Sequence, residues 1–128
     1  MMKVYLIDDD DIFNTLNLAI IGFVDAQIEI SIFKSGEEIM EHLNEQSNSF
    51  VPPDLVFLDI RMPNMDGFQL LEELNKLPQN PFEKSKVYML SSTLNEKDLE
   101  RTKQFSIVNS LLSKPLTVEL FSELIGKL

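Results

Sequence analysis

Four short apolar runs, each ending in a residue that can do chemistry, constrain this chain more than any other feature. Val4-Tyr5-Leu6-Ile7 runs into Asp8, and Leu55-Val56-Phe57-Leu58 into Asp59. Val87-Tyr88-Met89-Leu90 runs into Ser91, and a shorter stretch from Ser110 to Ser113 into Lys114. Continuous apolar runs of this length, without polar alternation, are what strands buried on both faces look like. Between them lie segments with helical spacing. Ile12, Phe13, Leu16, Ile20, Phe23 and Val24 predict an apolar stripe on a first helix. Ser35-Gly36-Glu37-Glu38 has the form of a capping box and opens a second helix carrying Ile39, Met40 and Leu43. Asp66 can cap a third, with its stripe at Leu70, Leu71 and Leu74, which Pro78 and Pro81 end. Asn95 and Asp98 begin a weakly amphipathic fourth helix reaching about Phe105. Thr117 caps a fifth, with Val118, Phe121, Leu124, Ile125 and Leu128 on one face.

Ile28, Ile30 and Ile32 alternate with Glu29 and Ser31, which predicts one further strand with a wetter face, at a sheet edge. The polar stretch from Asn44 to Pro53 reads as a loop. Five strand–helix units in alternation imply a single α/β domain over residues 1–128: a doubly wound parallel sheet with helices on both faces. Such sheets gather ligands outside the carboxyl ends of their strands. Asp8 to Asp11, Asp59, Ser91 and Lys114 all follow strand ends, so the fold would bring them to one rim.

Composition excludes several functions. There is no cysteine, hence no disulfide framework and no thiolate zinc site. The formal net charge of −10 argues against nonspecific nucleic-acid binding, which needs a basic footprint. No apolar run approaches the roughly 18 residues of a membrane span, and Met1-Met2-Lys3-Val4 does not open a signal peptide; a cytoplasmic location is expected. With four glycines there is no Gly-rich phosphate loop. An EF-hand fails too, because Ile12 follows where that loop needs its glycine and terminal Glu. His42, between Glu41 and Glu45, reads as a surface histidine. Met62, Met65 and Asp66 read as packing, turn and cap residues, and one of Asp10 and Asp11 as the cap of the first helix.

The rim residues make chemical sense as a set. Asp8, Asp9 and Asp59 offer the hard oxygens that Mg²⁺ prefers. A carboxylate held beside the cation can attack phosphorus to form an aspartyl phosphate. Lys114 would offset charge on the transferred group, and the Ser91 hydroxyl would hydrogen-bond one of its oxygens.

Over essentially its whole length the sequence resembles the receiver domains of bacterial response regulators, of the chemotaxis-regulator type. The pieces that carry the resemblance are Ile7-Asp8-Asp9, the run Asp59-Ile60-Arg61-Met62-Pro63-Asn64-Met65-Asp66-Gly67, Ser91, and Lys114-Pro115. It implies a flavodoxin-like (βα)5 fold with strand order 2-1-3-4-5. It implies that Asp59 accepts a phosphoryl group with Mg²⁺ present, and that Asp9 holds the metal directly and Asp8 through water. The Arg61 backbone carbonyl completes the protein's share of the metal shell, and Ser91 and Lys114 contact the phosphoryl group. Arg61 and Thr93 stand where side chains modulate access of water. Lys114-Pro115 is expected to be cis.

The implied role is a signalling switch and not a metabolic enzyme. Its phosphodonor would be a sensor histidine kinase or a histidine phosphotransfer protein. Its protein target would bind the face formed by the fourth helix, fifth strand and fifth helix, and the chain would be a monomer or weak homodimer. Nothing following Leu128 supplies an output, so the chain is expected to be a stand-alone regulator or an excised domain. Leu111 and Ile107-Val108 depart from the family pattern, which has Tyr or Phe at the first position and a Gly-Ala pair at the second. Two other readings stand beside this one. Asp8-x-Asp10 superficially matches a Mg²⁺-dependent phosphohydrolase of the haloacid-dehalogenase type, and a receiver fold can bind partners without being phosphorylated.

Overall fold

A computed structural model describes residues 1–128. It contains β1 (Lys3–Ile7), α1 (Asp11–Val24), β2 (Glu29–Phe33), α2 (Gly36–Gln46), β3 (Leu55–Asp59), α3 (Gly67–Asn75), β4 (Lys86–Ser91), α4 (Glu96–Thr102), β5 (Val108–Ser113) and α5 (Val118–Gly126). The strands form one sheet in the order β2-β1-β3-β4-β5, every pairing parallel. This is the doubly wound, flavodoxin-like arrangement expected from the alternation of elements.

Successive strand side chains point to opposite faces, so the continuous apolar runs feed two cores. Tyr5, Ile7, Val56, Leu58, Val87 and Met89 join Ile39 and Leu43 of α2 and Phe68, Leu70, Leu71 and Leu74 of α3 on one face. Val4, Leu6, Leu55, Phe57, Tyr88 and Leu90 join Ile21 of α1 and Phe121 and Leu124 of α5 on the other. The central strands are apolar without a break because both of their faces are covered. Edge strand β2 is largely half-buried, as its alternation predicts.

The first helix corrects the expectation drawn from its spacing. Ile12 is 72% exposed and Phe23 79%, while Asn14, Asn17 and Ile21 are the buried residues. Helix α1 is apolar around most of its circumference, so apolar spacing does not select a face. Two polar side chains do. Asn14 Nδ2 donates to the Asp8 carbonyl at 2.9 Å, and Asn17 Oδ1 accepts from the Leu116 N–H at 3.1 Å. Each satisfies a buried backbone group that an apolar residue would leave unpaired.

Other boundaries shift modestly. Helix α2 runs on to Gln46, into the expected loop. Helix α4 ends at Thr102, not near Phe105, whose ring stacks on Phe68 with centroids 5.9 Å apart. Strand β5 begins at Val108, and Leu128 lies beyond the end of α5 and is exposed. His42 is half-buried: its Nε2 lies 3.3 Å from the Tyr5 hydroxyl, and its ring packs against Phe33.

Candidate functional site

Strand register sets the rim. Ile7 pairs with Leu58, Asp59 with Leu90, and Ser91 with Ser113, so these strands end nearly flush. The ladder continues one step beyond them, with Asp8 N–H donating to Phe33 O and Lys114 N–H to Ser91 O, both at 2.9 Å. Asp8 and Lys114 are thereby fixed by backbone bonds before their side chains make any contact.

The four-aspartate run divides its labour. Asp10 caps α1, its Oδ1 accepting from Ile12 N at 2.9 Å and Phe13 N at 3.2 Å. Asp11 is exposed and pairs with Lys34. Asp8 is buried, and its Oδ1 accepts from Asp10 N at 2.9 Å. Asp9 is exposed at the rim. Carboxylate oxygens of Asp8, Asp9 and Asp59 all lie within 4.8 Å of one another. Into this cluster Lys114 extends its Nζ, 2.8 Å from Asp8 Oδ2 and 3.3 Å from Asp59 Oδ1. The same ammonium lies 4.3 Å from the centroid of the Phe13 ring, a cation–π contact that helps hold it in place. The Lys114–Pro115 peptide is cis.

Burial and crowding govern the charges. Asp59 is pushed up to about 7, first by desolvation and then by the charge of Asp8, against the opposing pull of Lys114. Burial alone would lower Lys114, yet its close ion pairs with the Asp8 and Asp59 carboxylates raise it above the ordinary lysine value. The ammonium therefore stays charged while one carboxylate is strained.

The donor set suits a hard divalent cation. Three carboxylates face a single ammonium. Asp8 Oδ2 is buried and accepts no well-aligned hydrogen bond, its one close partner being the Lys114 charge. Oxygen-only donors of this kind fit Mg²⁺ or Mn²⁺.

Two of the expected residues are at the rim with their side chains bonded to partners other than Asp59. Ser91 Oγ donates to the Thr93 carbonyl at 2.6 Å and accepts from the Thr93 N–H at 3.2 Å, closing a turn of its own loop. Arg61 approaches Asp59 only through its backbone N–H, at 3.4 Å from Oδ1, while its guanidinium pairs with Asp98 on α4 at 2.7 Å.

Sequence reasoning missed two supporting residues and the structural role of a third. Asn14 and Asn17 brace the Asp8 and Leu116 backbones as described; their signal was two amides inside an otherwise apolar helix. The third is Gly67, next to the capping box that Asp66 and Gln69 complete. A Cβ at Gly67 would collide with the carbonyl oxygen of Asp59 and come within 3.1 Å of Ile60 Cα. Only glycine lets the start of α3 lie against the backbone of Asp59.

Comparison with known proteins places the fold in a family. The family model described as the response regulator receiver domain matches residues 4–125. The crystal structure of a two-component response regulator from Cytophaga hutchinsonii superposes with a TM-score of 0.88 at 34% identity, covering 99% of this chain and 96% of that one. The Mn²⁺-bound form of the response regulator Rcp1 superposes with a TM-score of 0.76 at 25% identity, covering 98% and 91%. By sequence, hybrid signal transduction histidine kinase L of Dictyostelium discoideum is 28% identical over 98% of this chain. The chain spans only 7%, 15%, 30% and 56% of the lengths of four such relatives.

Proposed function

We propose, from the premise that this chain belongs to the response regulator receiver domain family, that residues 1–128 form one receiver domain whose switch is phosphorylation of Asp59. The observation that carries this reading is the convergence of three carboxylates within 4.8 Å, with the Lys114 ammonium lodged between Asp8 and Asp59. A divalent cation, Mg²⁺ in the cell, fits the oxygens of Asp8, Asp9 and Asp59 and the backbone carbonyl of Arg61. When bound it supplies positive charge against the phosphoryl oxygens. The Mn²⁺-bound relative is in keeping with such a site.

The chain's own residues account for the rest. Asp59 is the nucleophile: one carboxylate oxygen forms the O–P bond as the donor's P–N bond breaks, and the electron pair leaves with the donor imidazole. Asp59 must be anionic to attack, and Lys114 favours that form. Lys114 then has a phosphoryl oxygen to pair with in place of free carboxylate. The Ser91 hydroxyl, now bonded to Thr93 O, is free to exchange that bond for one to the phosphoryl group. The phosphodonor is a sensor histidine kinase or histidine phosphotransfer protein. The readout surface is the α4-β5-α5 face, engaged by a protein target, with the domain itself a monomer or weak homodimer. No helix is long and apolar enough to cross a membrane.

A phosphohydrolase of the haloacid-dehalogenase type is disfavoured, because Asp10, its required acid, spends its carboxylate capping α1. Incubation with acetyl phosphate and Mg²⁺ should add one phosphoryl mass to the intact protein, and Asp59→Asn should remove it. Undiminished labelling of that variant, or labelling traced to Asp8, overturns the assignment.

A further inference from the structure

Helix α4 is seated in an unusual way. Its buried residues are Asp98 and Thr102, both polar, whereas Leu99 is 38% exposed. Thr102 donates its hydroxyl hydrogen chiefly to the Asp98 carbonyl within its own helix, at 2.7 Å, and meets the sheet only through the weak acceptor Met89 Sδ at 3.9 Å. The polar side-chain contacts that reach outward are therefore few. Toward α3, Arg101 lies over the Phe68 ring and pairs with Glu72. On the side facing the rim, Asp98 Oδ2 receives the Arg61 guanidinium at 2.7 Å and the Asn95 amide at 3.0 Å. The Asp98 side chain is 8% exposed and that of Arg61 62%, so a buried carboxylate depends on a cation whose far side is open to water.

We infer that Arg61 and Asp98 form a latch that holds α4 in its resting position, and that phosphorylation of Asp59 releases it by drawing the guanidinium to the phosphoryl group. This rests on the reading of Asp59 as the phosphoacceptor and goes further, to how α4 learns of the change. The same residue touches both ends: the Arg61 N–H faces Asp59 Oδ1 and its side chain holds Asp98. A phosphoryl dianion with several acceptor oxygens is a better partner for a two-pronged guanidinium than one shared carboxylate oxygen. Once the guanidinium has left, Asp98 keeps only the Asn95 amide against its charge, an arrangement that burial penalises. Moving α4 so that Asp98 meets water relieves the penalty, and the two states then differ by a defined contact. Strand β5 offers no rival device here, because Leu111 is buried in the apolar core and has no polar group to exchange.

Hydrogen exchange of the α4 amides decides the matter, measured on the full chain with Mg²⁺, with and without beryllofluoride. Asp98→Asn and Arg61→Gln should each raise α4 exchange about tenfold without beryllofluoride, the loss expected for one charge-assisted hydrogen bond. The double variant should go no further than either single one, because both remove the same contact. Beryllofluoride should raise α4 exchange in the parent protein and add little in the variants. Arg61→Lys, which keeps the charge, should recover part of the protection. If Asp98→Asn is too unstable to measure, the exposed position of Arg61 keeps Arg61→Gln informative. Exchange in Arg61→Gln equal to that of the parent, or a double variant that adds both effects, overturns the latch. Beryllofluoride binding seen by ¹⁹F NMR with α4 unmoved overturns the release. A parent protein that binds no beryllofluoride instead overturns the phosphoacceptor reading, and the release with it, while the variants still decide the resting contact.

Discussion

Lys114 lies closer to Asp8 than to Asp59: its Nζ is 2.8 Å from Asp8 Oδ2 and 3.3 Å from Asp59 Oδ1. At rest, then, the lysine chiefly neutralises the carboxylate that is not the proposed nucleophile. Asp59 keeps a raised affinity for a proton, and a cation or phosphoryl group arriving at the rim redistributes the ammonium between the two.

Removing that lysine should cost stability before it costs chemistry. Lys114→Met leaves two buried carboxylates facing each other without a cation, and breaking such a buried pair typically costs about 3–5 kcal/mol. Protonation of Asp59 absorbs part of this, so a loss of roughly 2–4 kcal/mol is expected. Urea denaturation at pH 7.5 measures it. The loss should shrink in the double variant Lys114→Met, Asp8→Asn, and in the presence of Mg²⁺. A Lys114→Met protein as stable as the parent contradicts the pairing.

The raised Asp59 value carries a definite pH dependence. Between the unfolded carboxylate value of about 3.9 and the folded value of about 7, the native state binds more protons than the unfolded state, so stability falls as pH rises. This contribution is full below about pH 4 and is lost as pH passes through about 7. Other carboxylates titrate as well, so the difference from Asp59→Asn is the informative quantity. Without divalent cations, Asp59→Asn should gain on the parent between pH 5 and pH 8, by roughly 1–3 kcal/mol. Mg²⁺ should remove most of that gain. Parallel melting curves for the two proteins across this range would rule it out.

Asp9 tests the repulsion from its exposed side. Asp9→Ala removes a like charge from the rim without opening a cavity. The protein free of divalent cations should be unchanged or more stable by about 0.5 kcal/mol, the scale of exposed charge interactions. Stabilisation by Mg²⁺ should be markedly reduced, since the stabilisation a ligand gives grows with the logarithm of its concentration over its dissociation constant from the native state. Thermal melts with and without Mg²⁺ separate the two effects, and a clearly lowered melting point in the metal-free variant contradicts the repulsion argument.

Much of this architecture is written locally in the chain. Strands β1, β3 and β4 are legible because covering both faces of the sheet demands unbroken apolar runs, and the rim residues because each follows such a run directly. The caps at Asp66, Asn95 and Thr117 were readable for the same local reason. Helix α1 was not. Its inward face is decided by Asn14 and Asn17 meeting backbone groups at Asp8 and Leu116, one of them 99 positions away. Likewise the state of Ser91 and Arg61 depends on Thr93 and Asp98, partners that spacing does not announce. The sequence shows which groups share the rim, and tertiary contacts decide which of them face one another at rest.

Gly67 offers the strictest test of how the rim is built. Its N–H donates to the Ile60 carbonyl at 2.8 Å, tying the start of α3 to the residue after Asp59. A Cβ here meets the Asp59 carbonyl oxygen and the Ile60 backbone, which belong to the central strand and its continuation and cannot swing aside as a flexible side chain could. The nearby Met89 methyl, 2.9 Å from that Cβ position, could yield; the backbone contacts could not. Gly67→Ala should therefore destabilise the fold by at least the ~1–3 kcal/mol typical of an overpacked core. It should do so although alanine is the better helix former. The strain falls on Asp59 itself, so labelling by acetyl phosphate should slow even in the fraction that remains folded. Denaturation together with initial labelling rates, measured at a temperature where the variant is native, checks both halves. A variant that matches the parent in stability would mean that α3 can stand away from Asp59, and that the close approach of their backbones is not what aims the carboxylate.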